Sequence, residues 1–101
     1  MEKRVAIFIP AYNAASTVGN VLERIPANIR DKMAEIFVID NASTDNTSMV
    51  VVEYREQNGM HNLEVVRNPK NLGYGGSQKV AYRRCIDRHY DCVAMLHGDA
   101  Q

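Results

Sequence analysis

Apolar runs alternate along this chain with polar stretches rich in turn and capping residues. Four runs each stop at a cluster of small, polar or acidic residues. Val5-Ala-Ile-Phe-Ile9 precedes Pro10-Ala-Tyr-Asn13, and Glu35-Ile-Phe-Val-Ile39 precedes Asp40-Asn-Ala-Ser-Thr-Asp45. Leu63-Glu-Val-Val66 precedes Arg67-Asn-Pro-Lys-Asn-Leu-Gly73, and Cys92-Val-Ala-Met-Leu96 precedes His97-Gly-Asp-Ala-Gln101. The runs are nearly continuous rather than alternating, as strands are when helices cover both faces of a parallel sheet. The run over 63–66 is the weakest and is expected at an edge.

The stretches between the runs carry a helical period. Ser16 is an expected N-cap for a first helix with Val18, Val21, Leu22 and Ile25 inward, ending near Arg24 or Ile25 because Pro26 follows. A second helix is expected from Ser43 or Thr44, with Asp45 favourable near its positive end, and a stop at Asn58-Gly59. A third is expected after Gly75-Gly76, capped by Ser77. It would turn Val80, Ala81, Cys85 and Ile86 inward and Lys79, Arg83, Arg84, Asp87 and Arg88 outward.

Strand, helix, strand, helix, strand, helix, strand with right-handed crossovers predicts an α/β fold. The expected architecture is a Rossmann-like three-layer sandwich on a mostly parallel sheet of strand order 3-2-1-4. All four polar clusters then lie along one sheet edge, where open α/β sheets bind ligands. Tyr12 and Asp99 would flank the crevice between strands one and four, with Asp40 one strand further out.

Composition narrows the choice. With 101 residues, 46% of them hydrophobic, one small core and one domain over 1–101 are expected. Twelve basic residues balance twelve acidic ones, which argues against a binder of duplex nucleic acid, since that needs a basic face. Cys85 and Cys92 have neither zinc-ribbon nor CxxC spacing and are expected as buried, reduced thiols. Four polar residues precede the first run, and no stretch approaches the ~20 apolar residues of a membrane span. The expected location is cytoplasmic.

Several nucleotide-binding signatures are missing after the first strand. A dinucleotide site would show GxGxxG there and a P-loop GxxxxGK[ST], and neither occurs. A receiver domain would place carboxylates there, and there are none. The cluster instead offers Pro10, which stiffens the turn, and Tyr12, an aromatic face with a polar tip. Asp40, ending an apolar strand, either caps the following helix or accepts a hydrogen bond from a ligand such as a base N–H. The glycine-rich segment 68–77 leads into a helix N-terminus, a place that suits an anion, although Gly73, Gly75 and Gly76 equally serve unusual backbone angles. His97, Asp99 and Gln101 alternate, so an extended segment puts them on one side. Asp99 and Gln101 offer oxygen ligands of the kind Mg²⁺ or Mn²⁺ prefers. His97 is open between metal ligand, sugar contact and cap.

Taken together and in this order, these segments resemble the family 2 glycosyltransferases, whose fold is the GT-A nucleotide-diphospho-sugar transferase fold. The resemblance covers nearly the whole chain and is strongest to the polyprenyl- or dolichyl-phosphate sugar synthase branch. It implies that Pro10, Ala11 and Tyr12 surround the nucleotide base, that Asp40 hydrogen-bonds it, and that Gly75 and Gly76 belong to the donor site. It also implies that Asp99, with Gln101, holds Mg²⁺ or Mn²⁺ on the donor diphosphate. The implied reaction moves a sugar from a nucleoside-diphosphate sugar to an acceptor, a polyprenyl phosphate or a glycan, with inversion. Two positions depart from the pattern: Ala14 stands where a Glu is frequent, and His97 replaces the first acid of the DxD motif. The family places its acceptor half and catalytic base after this motif, so the base is expected beyond residue 101. The chain is therefore expected to be a donor-binding portion that self-associates through uncovered core surface, the longer enzyme working at the cytoplasmic face of a membrane. A non-catalytic nucleotide-sugar sensor or scaffold is the alternative, and a nucleotidyltransferase-like domain a weaker one.

Overall fold

The computed structural model describes residues 3–97. The elements run β1 (Val5–Ala11), α1 (Val18–Glu23), α2 (Ala27–Arg30), β2 (Glu35–Asp40), α3 (Thr47–Asn58), β3 (Leu63–Arg67), α4 (Gly73–Asp87) and β4 (Cys92–Met95). The four strands form one parallel sheet in the order β3-β2-β1-β4, as the pattern of runs predicts. β1 and β2 lie inside and are the most apolar; β3 and β4 form the edges.

Each face of the sheet buries its own core, because successive side chains of a strand point to opposite faces. Ile7, Ile9, Ile36 and Val38 pack with Val18, Val21, Leu22 and Val51 on the side of α1 and α3. Ala6, Phe8, Phe37 and Ile39 pack with Ala81 and Cys85 of α4 on the other. Phe8 and Phe37 stack with ring centroids 6.0 Å apart. Both are essentially fully buried, which for such a side chain contributes roughly 1.5–3 kcal/mol.

The helix ends differ from the sequence reading in four places. Thr17, not Ser16, stands at the N-cap of α1, and no side-chain bond caps that helix. Past Pro26, the chain forms a further short helix, α2, which the stripe of apolar residues does not announce. α3 starts at Thr47 rather than Ser43, because residues 41–46 form a turn bonded to the loop after β1. α4 starts at Gly73, so Ser77 is not a cap but a buried residue one turn inside the helix. The C-terminal end of α3 at Asn58, followed by Gly59 in the left-handed region (φ +58), is as expected.

Three side chains also change sides. Ile86 is 70% exposed instead of inward, and Cys92 is exposed instead of buried. Arg84, expected outside, turns in to the buried Glu35 at the start of β2. No helix among the described residues is long and apolar enough to cross a membrane.

Candidate functional site

Parallel strands bring the ends of β1, β2 and β4 to one sheet edge, and a cavity of about 1110 Å³ opens there. Ile7, Val21 and Ile25 give it an apolar floor, and Pro10, Ala11 and Tyr12 form the β1 side. Gly73, Tyr74 and Ser77, from the first turns of α4, face His97 across the end of β4. Tyr12 and Tyr74 are each about half exposed, at 50% and 51%. An apolar pocket with a few converging polar groups is the usual form of a small-molecule site.

Two loops hold the rim rigid. Asn13, in the left-handed region at φ 50, accepts hydrogen bonds on Oδ1 from the Thr44 N–H (2.8 Å), the Thr44 hydroxyl (3.1 Å) and the Asp45 N–H (3.3 Å). Its own N–H donates to Ser43 Oγ at 2.9 Å. The Ala14 and Ala15 N–H groups donate to Thr47 Oγ1 and Asp45 Oδ2. The Thr47 hydroxyl and N–H both donate to Asp45 Oδ1, so Asp45 fixes the turn that leads into α3. The Thr47 hydrogen bond, outweighing slight burial, holds the Asp45 carboxyl below the usual range.

Asn41 joins a third segment to these. Its Oδ1 accepts from Asn68 Nδ2 (3.0 Å) and the Leu72 N–H (2.8 Å), and its Nδ2 donates to Asn71 Oδ1 (2.9 Å) and the Gly73 carbonyl (3.4 Å). One amide therefore fixes where α4 begins. It also lines the cavity, a role the sequence reading missed. The signal present was an amide directly after a buried strand, opposite an amide-rich loop.

The residues singled out from sequence fare differently. Pro10, Ala11 and Tyr12 come together on the cavity wall. Asp40 is fully buried and does not line the cavity. Its carboxylate accepts from the Ser43 N–H (3.0 Å), the Ser48 hydroxyl and Arg67 Nη1 (2.9 Å). Burial alone would raise its pKa, but the Ser43 and Ser48 hydrogen bonds and the Arg67 charge outweigh it and hold the carboxyl low. Asp40 thus holds the turn after β2, and does not cap the following helix, which begins only at Thr47.

Gly75 and Gly76 do not line the cavity either, whereas Gly73 does, with φ +73 at the helix start. A Cβ on Gly76 would stand 2.5 Å from the Leu72 Cβ, so that glycine lets the chain before α4 close against the helix. His97 lines the cavity, its ring stacked on Tyr74 at 6.4 Å and 18°. Asp99 and Gln101 lie outside the described residues. Among the described residues no group of three or more His, Cys, Asp or Glu side chains is placed to hold a metal ion.

Residues 6–101 match the family model for glycosyl transferase family 2. An undecaprenyl-phosphate 4-deoxy-4-formamido-L-arabinose transferase of Klebsiella pneumoniae is 32% identical over 98% of this chain and 30% of its own length. A dolichyl-phosphate beta-glucosyltransferase of Trichomonas vaginalis is 26% identical over 94% of this chain and 30% of its own. A mannosyltransferase from Pyrobaculum calidifontis, solved in complex with GDP-Man and Mn²⁺, matches with a TM-score of 0.72 at 30% identity. That match covers 83% of this chain and 25% of the mannosyltransferase. The chain thus spans 30% of the length of these two curated relatives. On its motifs, its sheet order and this match over residues 6–101, the chain belongs to glycosyl transferase family 2, with a GT-A-like fold.

Proposed function

We propose that the chain is the nucleotide-sugar-binding portion of a metal-assisted, inverting glycosyltransferase. The observation that carries this is the cavity at the C-terminal ends of β1 and β4, walled by Pro10, Ala11 and Tyr12 and closed by the first turn of α4. The crevice outside the carboxyl ends of the strands, where the winding direction reverses, is where open α/β sheets take their ligands. A base would lie against Tyr12 on the apolar floor, beside Asn41, whose backbone N–H donates to the Ala11 carbonyl at 2.9 Å. Asp40 would act one step back, fixing the turn that presents Asn41.

Asp99 and Gln101 are the residues that would hold a divalent ion. Their carboxylate and amide oxygens suit Mg²⁺ or Mn²⁺. The 30%-identical mannosyltransferase was solved with GDP-Man and Mn²⁺, which supports the ligand class. Bound there, the ion would supply Lewis-acid stabilisation of a leaving nucleoside diphosphate. The polyprenyl-phosphate transferases among the relatives support a lipid-phosphate acceptor for the longer protein. No described residue is assigned as catalytic base. The test is calorimetry with UDP, GDP and their sugars, with and without Mn²⁺, on this chain and on its Tyr12→Ala variant.

A further inference from the structure

We propose that His97 contacts the donor's diphosphate directly, through an imidazole N–H, and that Tyr74 holds its ring in place for that contact. The inference rests on the donor-binding reading above and adds a residue to it. Among the described residues lining the cavity there is no Asp or Glu, and the only basic side chains are Arg24 and His97. An anion entering this cavity meets no fixed negative charge from those residues. Arg24 follows α1 directly, as its C-cap residue. His97 follows β4, which pairs with β1 where the winding reverses, and so stands at the crevice itself.

The ring is held from one face. Tyr74 stacks on it, nearly parallel at 18°, with centroids 6.4 Å apart, within the range of an offset stack. Tyr74 is anchored in turn, its hydroxyl donating to Met95 Sδ at 3.0 Å. Stacking occupies a face and leaves the ring edge, which carries both nitrogens, without a hydrogen-bond partner among the described residues. A neutral imidazole always carries one N–H, so the contact needs no change of charge. Tyr74 is the positioning residue and His97 the contact.

The test is calorimetry of UDP and GDP in EDTA, so that no divalent ion bridges the phosphates, with melting curves to verify folding of each variant. The wild-type chain should bind without metal, and inorganic pyrophosphate should shift the ¹⁵N resonances of the His97 ring. His97→Phe keeps an aromatic ring but loses the donor, and should bind roughly ten- to a hundredfold more weakly, the effect of losing one hydrogen bond to a charged group. His97→Gln, which keeps an N–H, should recover part of that loss, and Arg24→Gln should weaken binding less than His97→Phe does. Equal binding by His97→Phe, or a loss that falls on Arg24→Gln instead, overturns the proposal. Binding that requires Mn²⁺ overturns it while leaving the donor-binding reading standing. Absence of nucleotide binding with and without Mn²⁺ removes both.

Discussion

The guanidinium of Arg84 clasps the carboxylate of Glu35 through two hydrogen bonds of 2.8 Å each, joining α4 to the start of β2. Glu35 is 4% exposed, Arg88 approaches it at 3.7 Å, and Arg84 also lies over the Phe37 ring at 5.4 Å. The clasp lies at the opposite end of the sheet from the cavity, yet it sets the axis of the helix whose first turn walls that cavity. Removing one partner strands a buried charge. Arg84→Met should therefore lower stability by about 3 kcal/mol, softened where Arg88 moves in. Pairing it with Glu35→Met should return most of that loss. Urea unfolding of the two single variants and the double variant checks this; additive losses would show that the pair is not coupled.

Acid should destabilise the fold through the same carboxylate and through Asp40. For Glu35, burial pushes the pKa up, but the Arg84 bonds and charge, with Tyr90 and Arg88, bring it below its ordinary value. Asp40 is lowered likewise by Ser43, Ser48 and Arg67 against its burial. A carboxyl depressed in the folded state contributes stability that is complete above its unfolded pKa and is lost as pH falls through the folded one. Stability should thus be level above about pH 5 and fall steadily below about pH 4, the ordinary carboxylate range. Glu35→Gln should flatten that fall, as thermal melts from pH 2 to 7 would reveal.

Neighbouring glycines should respond oppositely to the same change. Gly76→Ala drives a Cβ to 2.5 Å from the Leu72 Cβ and should cost about 1–3 kcal/mol, the range for overpacking. Gly75→Ala meets nothing within 4 Å inside a helix and should stabilise by about 0.5–1 kcal/mol. Melting temperatures that move in the same direction would contradict this account of the α4 start.

Asp40→Ala should act on folding before it acts on binding. The change removes the acceptor of the Ser43 N–H and Ser48 hydroxyl and leaves Arg67 unpaired at its inner end. A loss of about 1–3 kcal/mol is expected for leaving the Ser43 N–H without its buried acceptor, since Arg67, half exposed, can turn to water. Nucleotide affinity per folded molecule should fall less than in Asn41→Ala, whose side chain lines the cavity. The reverse ranking would place Asp40 in direct contact with the base.

The sheet was legible in the sequence because buried parallel strands are long apolar runs, and a 3-2-1-4 order follows from short right-handed crossovers. The starts of α3 and α4 were not, because their turns are fixed by side chains distant in sequence. Thr44 and Asp45 bond to Asn13, and Leu72 bonds to Asn41, so local capping preference was overruled by loop-to-loop bonds. Ala42 gives no hint in its identity that it sits at φ +60. Tyr12 was readable at the crevice because a strand end fixes where it stands, whereas Pro10 and Ala11 were placed beside it by the family resemblance. The helix phase of α4 misled at Ile86 and Arg84, since a charged partner buried at position 35 draws the arginine inward.

The central claim is that the cavity beside Tyr12 holds the nucleoside diphosphate of a sugar donor. The most direct measurement is a calorimetric titration of this chain with UDP and with GDP in the presence of Mn²⁺, repeated for Tyr12→Ala. One of the two nucleotides should bind saturably, and Tyr12→Ala should weaken it by roughly tenfold, the loss of a stacking contact worth about 1–3 kcal/mol. A folded chain that binds neither nucleotide, or binds one equally well without the Tyr12 ring, would contradict it.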